Sequence, residues 1–126
     1  MTHNEIAEKI LDAAMLIHRK LGPGLLESVY LEVMYFELKK MGLKVQKEVP
    51  LPVVWESIKL EIGFRADLIV EDKVIIELKS VEQTAPVHKK QVLTYLRLTD
   101  KRLGLLLNFG KELMREGIHR IVNNLE

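Results

Sequence analysis

The stretch from Phe64 to Ser80, FRADLIVEDKVIIELKS, constrains the fold of this chain more than any other. Two short segments rich in Ile, Leu and Val, 64–70 and 74–80, flank the connection Glu71-Asp72-Lys73. Both segments are too short for stable helices and have the composition of strands, so they predict a β-hairpin. Three polar side chains interrupt its apolar pattern: Asp67, Glu77 and Lys79.

The length of the connection decides whether these polar side chains can act together. Side chains alternate between the two faces of a strand, so Glu77 and Lys79 share one face. A three-residue connection pairs Asp67 with Glu77, whereas a two-residue connection pairs Asp67 with Leu78, on the wrong face. In the first register the Cα atoms of the paired residues lie roughly 4.5–5.5 Å apart. A metal site on this hairpin therefore requires an odd-numbered loop or a bulge.

Two carboxylates and a lysine on adjacent strands are the parts needed to hold a hard divalent cation and activate a water beside it. The alternative is an ordinary hairpin, in which Glu77 and Lys79 are exposed and Arg65 and Asp67 are their salt-bridge partners. The hairpin residues alone leave both interpretations open.

Composition limits the class of protein. A length of 126 residues with 48% hydrophobic content suits one globular domain, residues 1–126. The absence of cysteine excludes disulfides, zinc–thiolate sites and cysteine nucleophiles. The sequence has no apolar run long enough to span a bilayer and no secretory signal at its amino terminus, so we expect a cytoplasmic protein that does not associate with membranes.

The charge of the chain is unevenly distributed. Residues 79–126 carry nine Lys and Arg against five Asp and Glu, whereas the preceding part is slightly acidic. A basic carboxyl-terminal part beside a carboxylate site could attract a phosphate backbone. Ordinary surface charge explains the same imbalance.

Two helices are expected before the hairpin. Thr2 and Glu5 have capping-box spacing ahead of an apolar period that runs to about Leu21, where the Gly22–Gly24 turn ends the helix. The second helix should run from about residue 25 to residue 41. Glu27 is the only charged residue on the apolar stripe of that helix, so it is either paired or metal-bound, or solvated at the positive end of the helix dipole.

A weakly patterned strand is expected over residues 43–49, and Pro50 and Pro52 predict that the chain beyond it is an edge or kinked strand. After the hairpin, a helix should run from Pro86 to about Leu98. Its apolar arc includes Gln91 and Tyr95, one turn apart, which either form hydrogen bonds in the core or reach the face of Asp67 and Glu77.

The carboxyl-terminal part begins with a run of leucines. Residues 102–109 predict a strand that is buried on both faces. Residues 117–124 fit either a helix or an edge strand, and we favour a short strand after Gly117.

Several motifs occur in an order that resembles a known family. The segment from Gly24 to Tyr30, GLLESVY, matches the signature that names the GxxExxY protein family. The resemblance extends to residues 65–79, 91–98, 104–110 and 117–123, which read RADLIVEDKVIIELK, QVLTYLRL, GLLLNFG and GIHRIVN. The whole pattern is similar to the PD-(D/E)XK nuclease superfamily, whose core is αβββαβ. The resemblance implies an α/β, restriction-endonuclease-like fold with a mixed central sheet flanked by helices.

The resemblance also implies a metal site. In that superfamily the residues matching Asp67 and Glu77 bind Mg²⁺, and Mn²⁺ can replace it. The carbonyl matching Leu78 assists them, and a helix acid, here Glu27, often completes the metal shell. Ala66 stands where the proline of the superfamily's name would be, and this departure removes no ligand.

The remaining catalytic positions follow from the same resemblance. The lysine matching Lys79 orients or deprotonates the attacking water and offsets charge in the transition state. A glutamine on the later helix, here Gln91, commonly contacts the site, and Tyr95 lies one turn further along.

Two functions are therefore expected. The first is a Mg²⁺-dependent phosphodiester hydrolase, a nuclease acting on DNA, with a homodimer providing two sites for two strands. The alternative is a non-catalytic module that binds nucleic acid or protein and keeps the nuclease fold.

Overall fold

A computed structural model describes residues 1–125, apart from the side chain of Ile62. The elements in chain order are α1 (His3–Leu21), α2 (Glu27–Lys40), β1 (Val45–Trp55), β2 (Ile58–Val70), β3 (Val74–Lys79), α3 (Pro86–Thr99), β4 (Leu103–Asn108), a 3₁₀ turn (Met114–Gly117) and β5 (Ile118–Val122). From α2 to β4 this order is the predicted αβββαβ core, with one helix added before it and one strand after it.

The strands form one five-stranded sheet in the order β1-β2-β3-β4-β5. Neighbouring strands are antiparallel except β3 and β4, which run parallel and are joined across the sheet by α3. The sheet is therefore mixed, as predicted, and the central strands β3 and β4 are buried along almost their entire length.

Apolar side chains on the two faces of the sheet form separate clusters. The larger one packs α1 and α2 against one face and includes Ile10, Met34, Leu68 and Ile76. The smaller one packs α3 against the other face and includes Ala66, Ile75 and Leu96. The continuous apolar runs of β3 and β4 follow from this arrangement, because both of their faces are covered.

The ends of the helices follow local rules. Thr2 and Glu5 form the predicted capping box at the start of α1, and Gly22 is the C-cap residue at its end. Helix α2 begins two residues later than predicted, because Leu26 is extended and serves as its N-cap residue. After α2, the backbone N–H of Leu43 bonds back to Leu38, so β1 begins at Val45 and not at residue 43.

Strand β1 is an edge strand and continues through Pro50 to Trp55. Its pairing with β2 shifts register between Leu51 and Val53, around Pro52, which agrees with the kinked edge strand predicted there. Residues 118–122 form the strand β5 that we favoured over a helix. No helix in the described part of the chain combines the length and the apolar character that crossing a bilayer requires.

Candidate active site

The β2–β3 hairpin has the predicted three-residue connection. Val70 pairs with Val74, Ile69 with Ile75 and Leu68 with Ile76, and this register places Asp67 next to Glu77. The regular ladder ends at the pair Leu68–Ile76, one residue before the two carboxyls meet. The strands therefore separate at the acidic residues.

The β1–β2 ladder is also interrupted at Asp67. Lys47 pairs with Leu68 and Val49 with Ala66, but Glu48, opposite Asp67, is unpaired and has a φ of 53°. Ala66 and Leu68 both flank Asp67, yet they belong to the clusters on opposite faces of the sheet. Residues two apart in a regular strand share one face, so the strand changes face at Asp67.

The two carboxyl groups take the place of the missing ladder bonds. The backbone N–H of Asp67 donates to Glu77 Oε1 at 2.9 Å, and the backbone N–H of Leu78 donates to Asp67 Oδ2 at 2.8 Å. The N–H and C=O of one strand residue point towards the same edge, so the Leu78 carbonyl is also directed towards Asp67. The opening thus contains two carboxyls and one backbone carbonyl, all of them oxygen donors of the kind that Mg²⁺ binds.

Burial strongly perturbs the acidic pair. Glu77 is 6% exposed. Its burial, and next the negative charge of Asp67, raise the pKa of Glu77 to about 8. Burial also raises the pKa of Asp67, although the Leu78 N–H and the charge of Lys79 oppose that shift. Of the two carboxyls, Glu77 is thus the one whose surroundings favour the protonated form more strongly.

Lys79 lies two residues beyond Glu77 on β3 and is half-buried. Its positive charge lowers the pKa of both Asp67 and Glu77, which places its ammonium group near the pair. Within the described residues, no carboxylate lies within ion-pair distance of Lys79. Its charge therefore acts on the pair without closing a salt bridge.

Tyr95 of α3 is the third side chain that the pair perturbs. It is almost fully buried and packs its ring against Phe64, with ring centres 5.3 Å apart. Burial, and then the charges of Glu77 and Asp67, raise the pKa of Tyr95 to about 12. The phenol therefore stays protonated and can donate a hydrogen bond at this site.

Gln91 lies one turn before Tyr95 on α3 and is half-buried. Among the hydrogen bonds of residues 1–125, none joins Gln91 to Asp67, Glu77 or Lys79. Its contact with the site therefore stays a prediction.

Glu27 approaches the pair from the start of α2. It is exposed, it borders a groove of about 200 Å³ together with Arg65 and Asp67, and its negative charge raises the pKa of Asp67. Across the described chain, however, no three His, Cys, Asp or Glu side chains converge into a group that could hold a metal. Glu27 therefore faces the carboxyl pair without joining it.

The GxxExxY spacing has a structural basis in the loop that precedes α2. Gly24 has a φ of 100°, a conformation that favours glycine. The buried Tyr30 donates to the carbonyl of Gly22 at 2.5 Å and accepts from the N–H of Leu25 at 3.2 Å. Ser80, which follows Lys79, donates to the Leu25 carbonyl at 2.6 Å. Tyr30 and Ser80 thus fix the loop that carries Glu27 beside the end of β3.

Asn108 is a buried polar residue that the sequence analysis did not select. It is 0% exposed at the end of β4, and its Oδ1 accepts from the N–H groups of Val81 at 3.1 Å and Gly110 at 2.9 Å. Its Nδ2 donates to Thr84 at 3.0 Å. Asn108 therefore fixes the loop that leaves Lys79. One signal was present in the sequence, because Asn108 is the polar end of an otherwise apolar strand.

Comparison with known proteins identifies the family but not a close relative. A family model described as the PD-(D/E)XK nuclease superfamily matches residues 4–121. No curated protein and no solved structure matches the chain. The family match therefore covers nearly the whole sequence but does not extend to the GxxExxY subfamily suggested by residues 24–30. Because the family model matches residues 4–121 and the chain has a restriction-endonuclease-like fold, the chain belongs to the PD-(D/E)XK nuclease superfamily.

Proposed function

We propose that this protein is a metal-dependent nuclease that hydrolyses phosphodiester bonds in DNA. The observation that carries the proposal is the opening of the sheet at Asp67 and Glu77, where a half-buried and a buried carboxyl replace the ladder bonds beside Lys79. A buried acidic pair is costly unless a positive charge or a proton compensates it. A divalent cation supplies that compensation and would displace the proton of Glu77.

The donor set fits Mg²⁺ or Mn²⁺. Asp67, Glu77 and the carbonyl of Leu78 would hold the cation, and Glu27 would complete its shell from α2. Mg²⁺ is octahedral, so these four protein ligands would leave two positions for water. The bound cation would polarise a phosphoryl oxygen and lower the pKa of a bound water.

The side chains around the pair would perform the rest of the reaction. Lys79 orients or deprotonates the water that attacks phosphorus and offsets the negative charge that develops as the ester oxygen leaves. The protonated Tyr95 donates a hydrogen bond at the same face. Gln91 is assigned to substrate or water contact from α3, on the resemblance alone.

The proposed activity is tested with end-labelled single- and double-stranded DNA and RNA, incubated with Mg²⁺, Mn²⁺ or EDTA. We expect cleavage that requires the metal and falls by at least ~100-fold in Lys79→Ala, in line with the usual contribution of a proton-transfer group. Lys73→Ala is the matched control, because Lys73 is exposed in the connection of the same hairpin. Cleavage without added metal, or an equal loss of activity in Lys79→Ala and Lys73→Ala, would refute the proposed metal-dependent nuclease.

The alternative is a binding module that keeps the fold without turnover. The observation that favours it is that no third acidic side chain in the described part of the chain joins the pair to form a metal-binding group. If wild-type protein binds nucleic acid but cleaves none of the four substrates with either metal, the binding module is the correct description.

A homodimer would supply a second site for the second strand of a duplex. The tip of the β1–β2 hairpin provides an apolar surface for such a contact, since Val54, Trp55 and Ile58 are each more than half exposed. Sedimentation should show a dimer that Trp55→Ser weakens. Val87→Ser, on an equally exposed residue of α3, should leave it intact. A monomer at all concentrations would refute the dimer without affecting the active site.

A further inference from the structure

Helix α2 carries an aromatic and basic surface that the proposed chemistry does not use. The ring of Phe36 is 63% exposed, on the side of the helix opposite the core. Its neighbour Tyr35 lies beneath two ammonium groups, those of Lys39 and Lys47, at 5.0 and 4.8 Å from the ring centre. Lys40 lies 5.8 Å from the ring centre of Phe36. We call these five residues the α2 strip.

The α2 strip continues from the candidate active site. Ser28 borders the groove that contains Asp67, and Ser28, Glu32, Tyr35 and Lys39 follow one another on a single face of α2. Glu32, Tyr35, Phe36, Lys39 and Lys40 line an open hollow of about 600 Å³. From Ser28 to Phe36 the helix rises ~12 Å, about the length of three stacked nucleotides.

The lysines of the strip are available to a ligand. Lys47 bonds to both carboxylate oxygens of Glu32, at 3.0 and 2.8 Å, and Lys40 lies 3.6 Å from Glu37. Both ion pairs involve exposed lysines, and such pairs add little stability. A phosphate group could therefore replace either carboxylate partner.

We propose that the α2 strip binds a single-stranded segment of nucleic acid next to the cleaved bond. Phe36 stacks on an unpaired base, and Lys39, Lys40 and Lys47 contact the phosphates. Exposed aromatic rings interleaved with lysines are the means by which proteins hold single strands without reading their sequence. A paired base offers no free face to such a ring, so the strip discriminates against a duplex. The inference rests on the proposed nuclease function and adds to it the strand class of the substrate.

The test is the anisotropy of fluorescein-labelled 12-nucleotide DNA and RNA, single- and double-stranded, measured in EDTA so that no cleavage occurs. We expect the single strands to bind more tightly than the duplexes. Phe36→Ala should lower the affinity for single strands by about 5-fold or more. Lys39→Gln/Lys40→Gln should also weaken binding and reduce the slope of log K against log salt by about 1.4, at about 0.7 per phosphate contact.

Two control variants test whether a loss of affinity is specific to the α2 strip, or follows from any loss of positive charge or of exposed apolar surface. Lys9→Gln/Lys20→Gln makes the same charge change on exposed residues of α1, and Val87→Ala removes an exposed apolar side chain from α3. Both should change the affinity less than 2-fold. A Trp55→Phe/Phe36→Trp variant reports stacking directly, because its single tryptophan should be quenched by the single strands.

The possible results separate the strip from the nuclease proposal. If the wild-type protein binds and the strip variants weaken, but no substrate is cleaved, the nuclease proposal fails and the strip stands. If the protein cleaves and the strip variants bind normally, the strip alone is refuted. It is also refuted if no nucleic acid binds, if the tryptophan introduced into α2 is not quenched, or if Phe36→Ala changes only self-association.

Discussion

Glu77 is a carboxyl that the fold holds almost entirely out of water. An unfolded chain would ionise it at its ordinary pKa of 4.5, whereas in the folded protein burial and Asp67 raise that pKa to about 8. The folded state thus holds a proton that the unfolded state has lost. Its contribution to stability is complete below pH 4.5, declines between pH 4.5 and 8 and is absent above pH 8.

Glu77→Gln should remove this pH dependence. In EDTA, we expect the free energy of unfolding of wild-type protein to fall between pH 5 and pH 9 by on the order of a few kcal/mol more than that of Glu77→Gln. Urea unfolding at the two pH values measures the difference. Glu8→Gln, on an exposed residue of α1, should keep the wild-type slope. Parallel slopes for wild type and Glu77→Gln would show that Glu77 is ionised in the fold.

Tyr30 joins the core to the loop that carries Glu27. Its hydroxyl donates a hydrogen bond to the Gly22 carbonyl and accepts one from the Leu25 N–H. Its ring stacks on Phe109 with ring centres 4.4 Å apart. Tyr30→Phe keeps the stacking and removes both hydrogen bonds, so it should lower the free energy of unfolding by about 1–2 kcal/mol. Thermal unfolding tests this, with Tyr35→Phe as the control. Equal stabilities of Tyr30→Phe and Tyr35→Phe would mean that the Tyr30 hydroxyl does not stabilise the loop.

At the scale of the elements, the loop between β3 and α3 depends on the end of β4. Asn108→Ala would leave the N–H groups of Val81 and Gly110 without their side-chain acceptor. We expect a loss of about 2–4 kcal/mol in the free energy of unfolding. Hydrogen exchange of the Val81 and Gly110 amides should accelerate, whereas Asn123→Ala, which removes one bond to Lys101, should leave them unchanged. Unchanged exchange in Asn108→Ala would contradict this role.

The sequence predicted the elements that follow from a simple period or a short connection. The bounds of the two apolar segments predicted the three-residue connection of the β2–β3 hairpin, and the pairs Val70–Val74 and Leu68–Ile76 agree with it. The break at Asp67 was not predictable in the same way. It depends on the positive φ of Glu48, a residue whose identity does not demand that conformation, and on long-range pairing with β1.

The side chains of the site were predictable to different degrees. Asp67 and Glu77 lie on neighbouring strands, so the register alone brings them together. Gln91 and Glu27 lie on helices, and their distance from the pair depends on how each helix packs on the sheet. Asn108 acts through backbone groups of a loop, which leave no periodic signal in the sequence.

At the scale of the whole molecule, the sheet separates two layers of helices and opens at the carboxyl pair. Helix α2 contributes Glu27 on one side of this opening, and α3 contributes Tyr95 on the other. A cation bound to the pair would bind the folded protein and not the unfolded chain, so it would stabilise the entire fold.

Melting of the wild-type protein in EDTA and in millimolar Mn²⁺ tests the central claim most directly. At 100 times the Kd, a metal that binds only the folded state adds about 2.7 kcal/mol, which is on the order of 5–15 °C in Tm for a domain of this size. We expect that increase in wild-type protein and in the exposed-residue control Asp12→Asn. Asp67→Asn should lose most of the increase and melt above wild type in EDTA, because it removes a negative charge that partial burial and the nearby Glu27 disfavour. Identical wild-type melting curves in EDTA and in Mn²⁺ would contradict a metal site at Asp67 and Glu77.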